Sequence, residues 1–154
     1  MKNRTLLIFA AICVALVGFL IFMMRGNMDG SMMNDGLDMS TEFESSEGSP
    51  MVQVTLPETL SANAQIGKRA FDVKCAACHG TNAAGQNGVA PPLVHKIYEP
   101  SHHADFAFQR AAQNGVRSHH WGFGNMPPVE GITTAEIKFI TAYVRELQRA
   151  NGIN

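Results

Sequence analysis

The chain has 154 residues, of which 45% are hydrophobic and 16% are charged, and its formal net charge is −1 at pH 7. This length accommodates one ordinary domain. The near-neutral charge argues against a nucleic-acid-binding protein, because such proteins usually carry a basic surface. The three cysteines cannot form the disulfide framework of a small secreted protein, since one of them lies deep in an apolar run.

The first segment, residues 1–25, predicts a membrane anchor. Residues 5–24 form an uncharged apolar run, and twenty helical residues span about 30 Å, the thickness of the hydrocarbon core of a bilayer. A cleavable signal peptide has a shorter apolar region that is followed by small residues, a pattern that this segment does not show. Lys2 and Arg4 precede the run and Arg25 follows it, which favours a cytoplasmic N-terminus.

The second segment, residues 26–57, predicts a flexible acidic tether. Its first part, residues 26–51, contains six acidic residues, no basic residue and five methionines among many glycines and serines. This part shows neither helical nor strand periodicity and has too few apolar residues to form a core. We therefore expect it to connect the anchor to a folded domain.

The third segment, residues 58–154, predicts one all-α domain, because no stretch alternates in the manner of a strand. A first helix is expected over about residues 63–77, where apolar residues recur at helical spacing. A short second helix is expected with Ser101 as its N-cap and Gly115 after its end. A capping box at residues 133–136 predicts the start of a last helix that continues almost to the C-terminus.

One motif carries the chemistry of this domain, and it reads Cys75-Ala76-Ala77-Cys78-His79. This is the C-x-x-C-H pattern of covalent haem attachment. Positions i, i+3 and i+4 share one face of a helix, so two thiols can bond the vinyl groups of a haem while the imidazole reaches the iron. A thioredoxin-like site needs a βαβ setting and a structural zinc site needs four ligands, and the sequence predicts neither. We therefore expect one covalently bound haem c.

Met126 is the candidate for the second axial ligand of the iron. Eight of the nine methionines lie at or before residue 51, which leaves Met126 as the single methionine of the predicted domain. It lies between Gly124 and two prolines, Pro127 and Pro128, which prevent the loop from continuing as a helix. A rigid loop that presents one thioether suits axial ligation, and Met/His ligation raises the reduction potential of a haem.

The order of these motifs resembles the class I monohaem cytochrome c family over about residues 60–150. The matching features are CAACH, then APPL, then GNMPPV, then a terminal helix. The resemblance implies a cytochrome c fold, with three to four short helices around the covalently bound haem, preceded here by one N-terminal transmembrane helix. It also implies electron transfer and no enzymatic activity.

The resemblance further implies roles for individual residues. The carbonyl of Pro91 would accept a hydrogen bond from the second ring nitrogen of His79, which fixes the tautomer and direction of the ring. Leu93 would pack on the haem, and Ala90 stands where the family usually has glycine. The residues that match the crossing of the first and last helices are Gly67, Phe71 and Tyr143.

Five histidines lie outside the attachment motif, and they are His95, His102, His103, His119 and His120. The plainer interpretation is that they are solvated polar residues of loops and helix starts. Because imidazole suits copper and zinc and thioethers suit Cu(I), the two adjacent pairs also permit copper binding with help from the tether methionines. Arg117 and Trp121, with His119 or His120, are expected to donate N–H groups to a haem propionate.

These features together predict a periplasmic electron carrier that residues 5–24 tether to the bacterial inner membrane. The expected partners are redox proteins in or at the membrane, and no nucleic acid. Two alternatives stay open. The first is a copper-handling or accessory cytochrome that delivers electrons to a copper or terminal oxidase, and the second is a haem sensor or enzyme in which Met126 leaves the iron.

Overall fold

The structure, a computed structural model, describes residues 46–154, so the predicted anchor and most of the predicted tether lie outside the described residues. Within residues 46–154 the chain forms four α-helices, two short 3₁₀ helices and no β-strand. The α-helices are α1 (Ala62–Lys74), α2 (Ala76–His79), α3 (Asp105–Asn114) and α4 (Thr134–Ala150), and the 3₁₀ helices are Thr81–Ala83 and Lys96–Tyr98. The all-α prediction is therefore confirmed for this part of the chain.

None of the helices in residues 46–154 combines the length and the apolar character needed to cross a membrane.

The hydrophobic core forms where α1 crosses α4. The two helices approach so closely that a Cβ atom added to Gly67 would stand 1.9 Å from the carbonyl oxygen of Phe139. Next to this contact, the rings of Phe71 and Tyr143 are both buried, with their centroids 5.6 Å apart. Other buried members of the core are Ala64, Ala83, Val94, Ile140, Val144 and Leu147. This is the helix crossing that the family resemblance implies.

The last helix, α4, begins as the sequence predicts. The hydroxyl of Thr133 accepts a hydrogen bond from the backbone N–H of Glu136 at 3.2 Å, and the carboxylate of Glu136 accepts one from the backbone N–H of Thr133 at 2.8 Å. Each bond satisfies an N–H group that has no partner within the helix. The predicted capping box is confirmed.

Two of the predicted helix boundaries differ from the structure. The first helix ends at Lys74, because the backbone of Cys75 leaves helical geometry, and the attachment motif continues on the separate one-turn helix α2. The second correction concerns the start of α3. Ala104, and not Ser101, is the N-cap of α3, because the Ser101 hydroxyl donates to the carboxylate of Glu99 at 2.9 Å in the turn before the helix. The predicted end of α3 at Gly115 is confirmed.

The folded domain extends N-terminally of the boundary expected at residue 58. The backbone N–H of Gly48 donates to the carbonyl of Asn87 at 2.9 Å. Further along, Thr55 and the side chain of Asn151 form two hydrogen bonds, both 2.9 Å long. These contacts engage backbone groups over long sequence separations, so hydropathy gives no sign of them.

Two polar side chains on the buried face of α4 hold the loop that precedes α3. Arg145 donates to the carboxylate of Asp105 at 2.8 Å, to the carbonyl of Tyr98 at 2.7 Å and, through a short bond, to the carbonyl of His103. Gln148 accepts from Arg145 at 2.6 Å and donates to the carbonyl of Tyr98 at 3.0 Å. A buried charge is stable only when it is paired and hydrogen-bonded. This network therefore fixes the path of a loop with little regular structure.

Candidate haem-binding site

A cavity of about 730 Å³ lies beside the helix crossing. Its volume falls within the range of roughly 300–1,000 Å³ that is typical of small-molecule and cofactor sites. Residues of α2, α3 and α4 and of the loops around them form its wall, which is mainly apolar. The large apolar side chains of this wall are Val89, Leu93, Phe108, Phe123, Ile132, Ile137 and Ile140.

The attachment motif lies on this wall. The backbone N–H groups of Cys78 and His79 both donate to the carbonyl of Cys75, at 3.1 and 2.9 Å, and so form the single turn of α2. This turn brings all three side chains to the cavity. The two cysteines form no disulfide, and burial, with Cys78 as a neighbour, raises the pKa of the Cys75 thiol to about 11. The Cys75 thiol is therefore neutral at pH 7.

The ring of His79 is fixed by one hydrogen bond. Its Nδ1 atom lies 2.9 Å from the carbonyl oxygen of Pro91, and because a carbonyl only accepts, Nδ1 is the donor. The lone pair therefore resides on Nε2, the other ring nitrogen. Burial lowers the pKa of His79 below its usual 6.5, although the bond to Pro91 opposes this shift. A neutral, oriented imidazole is the form that binds a metal ion.

Met126 reaches the same cavity from a loop that is docked onto the end of α3. Met126 and Val116 exchange two backbone hydrogen bonds, each 2.9 Å long. Gly115, with a φ of +74°, allows this approach, because a Cβ atom there would stand 2.5 Å from the carbonyl oxygen of Met126. The structure thus brings His79 and Met126 to one cavity, where a hydrogen bond to Pro91 holds the first and two bonds to Val116 hold the backbone of the second.

Trp121 and Arg117 also line the cavity. The indole Nε1 atom of Trp121 is buried and has no hydrogen-bond partner among the described residues. Burial raises the pKa of Tyr98, and the nearby N–H of Trp121 lowers it in part. The indole N–H nevertheless lacks normal hydrogen-bond geometry to the Tyr98 hydroxyl. An unpaired buried N–H costs roughly 1–3 kcal/mol, so this position favours an acceptor from a bound molecule. The side chain of Arg117 is exposed at the same wall.

These residues fit a haem. The thiols of Cys75 and Cys78 and the neutral imidazole of His79 line the apolar cavity. The thioether of Met126 and the unpaired buried N–H of Trp121 line it as well. The apolar wall would surround the porphyrin, the His79 imidazole and the Met126 thioether would supply ligands to the iron, and the Trp121 N–H would donate to a propionate carboxylate.

The four histidines of the two adjacent pairs come together at the edge of this cavity, whereas His95 lies apart, against Trp121. The ring centroids of His102 and His120 are 5.5 Å apart, and those of His103 and His120 are 5.4 Å apart. Partial desolvation and the neighbouring imidazoles lower the pKa of His120. The positions of the two pairs in the sequence, 17 residues apart, do not predict that they meet.

Sequence reasoning also missed most of the apolar wall, including Phe108, Ile132 and Ile137. The available signal was helical spacing, but this spacing is the same for a residue that faces a cavity and for one that faces a packed core. Arg145, whose guanidinium lies 4.9 Å from the ring centroid of Phe108, had a clearer signal. It is a charged residue that follows Thr141 by one helical turn on the apolar face of its helix.

The fold and the site together define a small helical domain whose apolar cavity, beside a C-x-x-C-H motif, fits a haem. The family model for cytochrome c matches residues 64–148, which is more than half of the chain. The chain therefore belongs to the cytochrome c family, whose members are haem-based electron carriers. Comparisons with curated proteins and with solved structures gave no significant match.

Proposed function

We propose that this protein is a membrane-tethered periplasmic electron carrier with one haem c, which Cys75 and Cys78 attach covalently and His79 and Met126 ligate. The observation that carries this proposal is the placement of His79 and Met126 on the wall of one apolar cavity, with His79 Nδ1 bound to the Pro91 carbonyl at 2.9 Å. When bound, haem c supplies an iron centre that accepts or releases one electron.

The residues of the chain would act by holding the iron in one environment. Pro91 orients the His79 ring, and the two backbone hydrogen bonds between Val116 and Met126 hold the thioether loop against α3. Two protein ligands leave no open position for a substrate, which favours electron transfer over catalysis. The apolar wall would surround the bound haem, and Met/His ligation would raise its reduction potential.

The same contacts argue against a sensor or an enzyme with a displaceable ligand. The bridge to Val116 holds the backbone of Met126, and Pro127 and Pro128 restrict the backbone that follows, so the loop itself has no evident path away from the iron. Met126 would therefore remain bound to the iron in both oxidation states.

The absorption spectrum of the oxidised full-length holo-protein tests the ligand assignment. The charge-transfer band of a methionine–iron bond is expected in the unaltered protein and is expected to vanish in Met126→Ala, with a fall in the reduction potential. Met51→Ala is the matched control, because Met51 is half-buried but does not line the cavity. A band that survives in Met126→Ala, or is absent from the unaltered protein, contradicts the assignment.

The membrane tether is proposed from the apolar run at residues 5–24 and the basic residues that precede it. The intact mass of the protein extracted from membranes is a direct test. The expected mass is that of all 154 residues with one haem. A mass that lacks the apolar run would indicate that the run is a cleaved signal peptide. A mass without added haem would contradict covalent attachment. A C-terminal alkaline phosphatase fusion, active only outside the cytoplasm, tests the predicted orientation.

A further inference from the structure

Three histidines from two separate loops converge at the edge of the haem cavity. His102 and His103 follow the second 3₁₀ helix, and His120 lies in the loop between α3 and Met126. Each offers a ring nitrogen, and these three nitrogens lie within 4.8 Å of one another. His103 and His120 also line the cavity.

The tautomer of His103 leaves its metal-binding nitrogen available. Its Nδ1 atom lies 2.6 Å from the carbonyl oxygen of Ile97, so Nδ1 is the donor and Nε2 holds the lone pair. His119, which precedes His120 in the sequence, has the same arrangement, with its Nδ1 atom 2.9 Å from the carbonyl oxygen of Arg117. A histidine that binds a metal ion commonly donates its second ring nitrogen to a carbonyl in this way.

Both loops are also braced by residues outside the histidine cluster. Arg145, from α4, donates to the carbonyl of His103. The turn that carries His120 is held by Ser118, whose backbone N–H donates to the side chain of Asn125 at 2.9 Å and whose hydroxyl donates to the carbonyl of Trp121. The three imidazoles are therefore brought together by a scaffold that does not depend on a bound ion.

We propose that His102, His103 and His120 form a second metal site, which binds a divalent transition-metal ion of the zinc and copper class. The cluster supplies nitrogen ligands, which suit zinc and copper, whereas calcium and magnesium require oxygen. Nitrogens bound at about 2.0 Å in a tetrahedral site are roughly 3.3 Å apart. Because His102 and His120 are exposed, small ring rotations bring the three nitrogens to that spacing, with water in the fourth position.

Zinc titration of the full-length holo-protein without a histidine tag, followed by calorimetry, tests the site. Zinc is the chosen probe because the methionines of residues 26–51 favour Cu(I) and bind Zn²⁺ poorly. One Zn²⁺ per chain is expected to bind. Removal of a direct ligand in His102→Gln or His120→Gln is expected to weaken binding by about tenfold or more, since even indirect partners of metal sites commonly contribute 10–100-fold.

His95→Gln is the matched control, because His95 lies outside the cluster, and its affinity for Zn²⁺ should equal that of the unaltered protein. His102→Gln changes an exposed side chain that does not line the haem cavity, so its haem absorption spectrum should stay the same and serves as the folding check. Unchanged zinc affinity in the His102→Gln/His120→Gln double variant overturns the proposal, as does an equal loss in His95→Gln.

Electron paramagnetic resonance of added Cu²⁺ gives a second readout that is independent of affinity. Hyperfine coupling to three imidazole nitrogens is expected, and a signal with fewer than two coupled nitrogens contradicts the site. Neither measurement depends on the Met126 band or on the reduction potential. The second site and the proposed electron-carrier function can therefore fail separately.

Discussion

The two sides of the haem cavity are built by different means. One side is the face of α4 that carries Ile137 and Ile140, and behind it α4 packs on α1, where apolar side chains such as Phe71 and Leu147 are fully buried. The other side consists of loops and the short helix α3, which has no buried residue. There, individual hydrogen bonds, such as those between Val116 and Met126, determine where the chain runs. Close packing thus holds the core side together, whereas single hydrogen bonds on the loop side bring the side chain of Met126 to the cavity.

The largest effect is expected from a change at the core side. Gly67→Ala places a methyl group 1.9 Å from the carbonyl oxygen of Phe139, which is backbone and cannot rotate away. The helices must separate, and overpacking of this kind costs about 3 kcal/mol or more of unfolding free energy. Urea unfolding of the holo-protein measures the loss.

Gly122→Ala is the control for this prediction, because no atom lies within 4 Å of a Cβ atom added at Gly122. Its unfolding free energy should stay within about 0.5 kcal/mol of the unaltered protein. Equal destabilisation by both alanines would mean that the helix contact at Gly67 is not the reason for the glycine.

An intermediate effect is expected where the core supports the loops. Arg145→Met keeps much of the volume of the side chain but leaves the carbonyl of His103 and the side-chain oxygen of Gln148 without their donor, whereas the carbonyl of Tyr98 keeps its bond from Gln148. A buried group without its partner costs about 1–3 kcal/mol, so unfolding free energy should fall by about 2 kcal/mol. Zinc affinity should fall as well, because the loop that carries His102 and His103 loses its brace. The Met–iron charge-transfer band should persist.

Arg149→Met is the matched control, because Arg149 is an exposed arginine of the same helix. It should leave both unfolding free energy and zinc affinity nearly unchanged. Loss of the charge-transfer band in Arg145→Met would show that the two sides of the cavity are less independent than the structure indicates.

The smallest effect concerns the cap of α4. Hydrogen bonds from the backbone and hydroxyl of Thr133 lower the pKa of Glu136 below its usual 4.5. The folded state therefore favours the carboxylate, and its contribution to stability is complete above the unfolded pKa and is lost as pH falls through the lower folded pKa. Thermal unfolding between pH 6 and pH 3 should show a smaller pH dependence in Glu136→Gln than in the unaltered protein. An identical pH dependence would contradict the role of the cap.

Local sequence signals predicted two helix ends and the position of the attachment motif. The capping box at Thr133 and the glycine at the end of α3 depend on neighbours within a few residues, and both are confirmed. The spacing of Cys75, Cys78 and His79 likewise needs only one helical turn, and all three lie at the cavity. The family assignment, which depended on the order of these motifs, is confirmed as well.

The features that the sequence did not reveal depend on competition between local partners or on distant contacts. Ser101 has the chemistry of an N-cap, but the nearby carboxylate of Glu99 takes its hydroxyl. The bonds between Thr55 and Asn151 join residues 96 positions apart. The meeting of the two histidine pairs similarly requires the paths of two loops, and Arg145 sets one of these paths from a third element.

The way in which α4 holds the loop before α3 has a consequence for how the protein can evolve. Arg145 and Gln148 bind backbone carbonyls in this loop, at Leu93, Tyr98 and His103, and every amino acid supplies a carbonyl. The loop therefore keeps its course whatever side chains it carries at exposed positions. Relatives with this arginine–glutamine pair could gain or lose the exposed histidines by a few substitutions, while the haem domain that supports them stays the same.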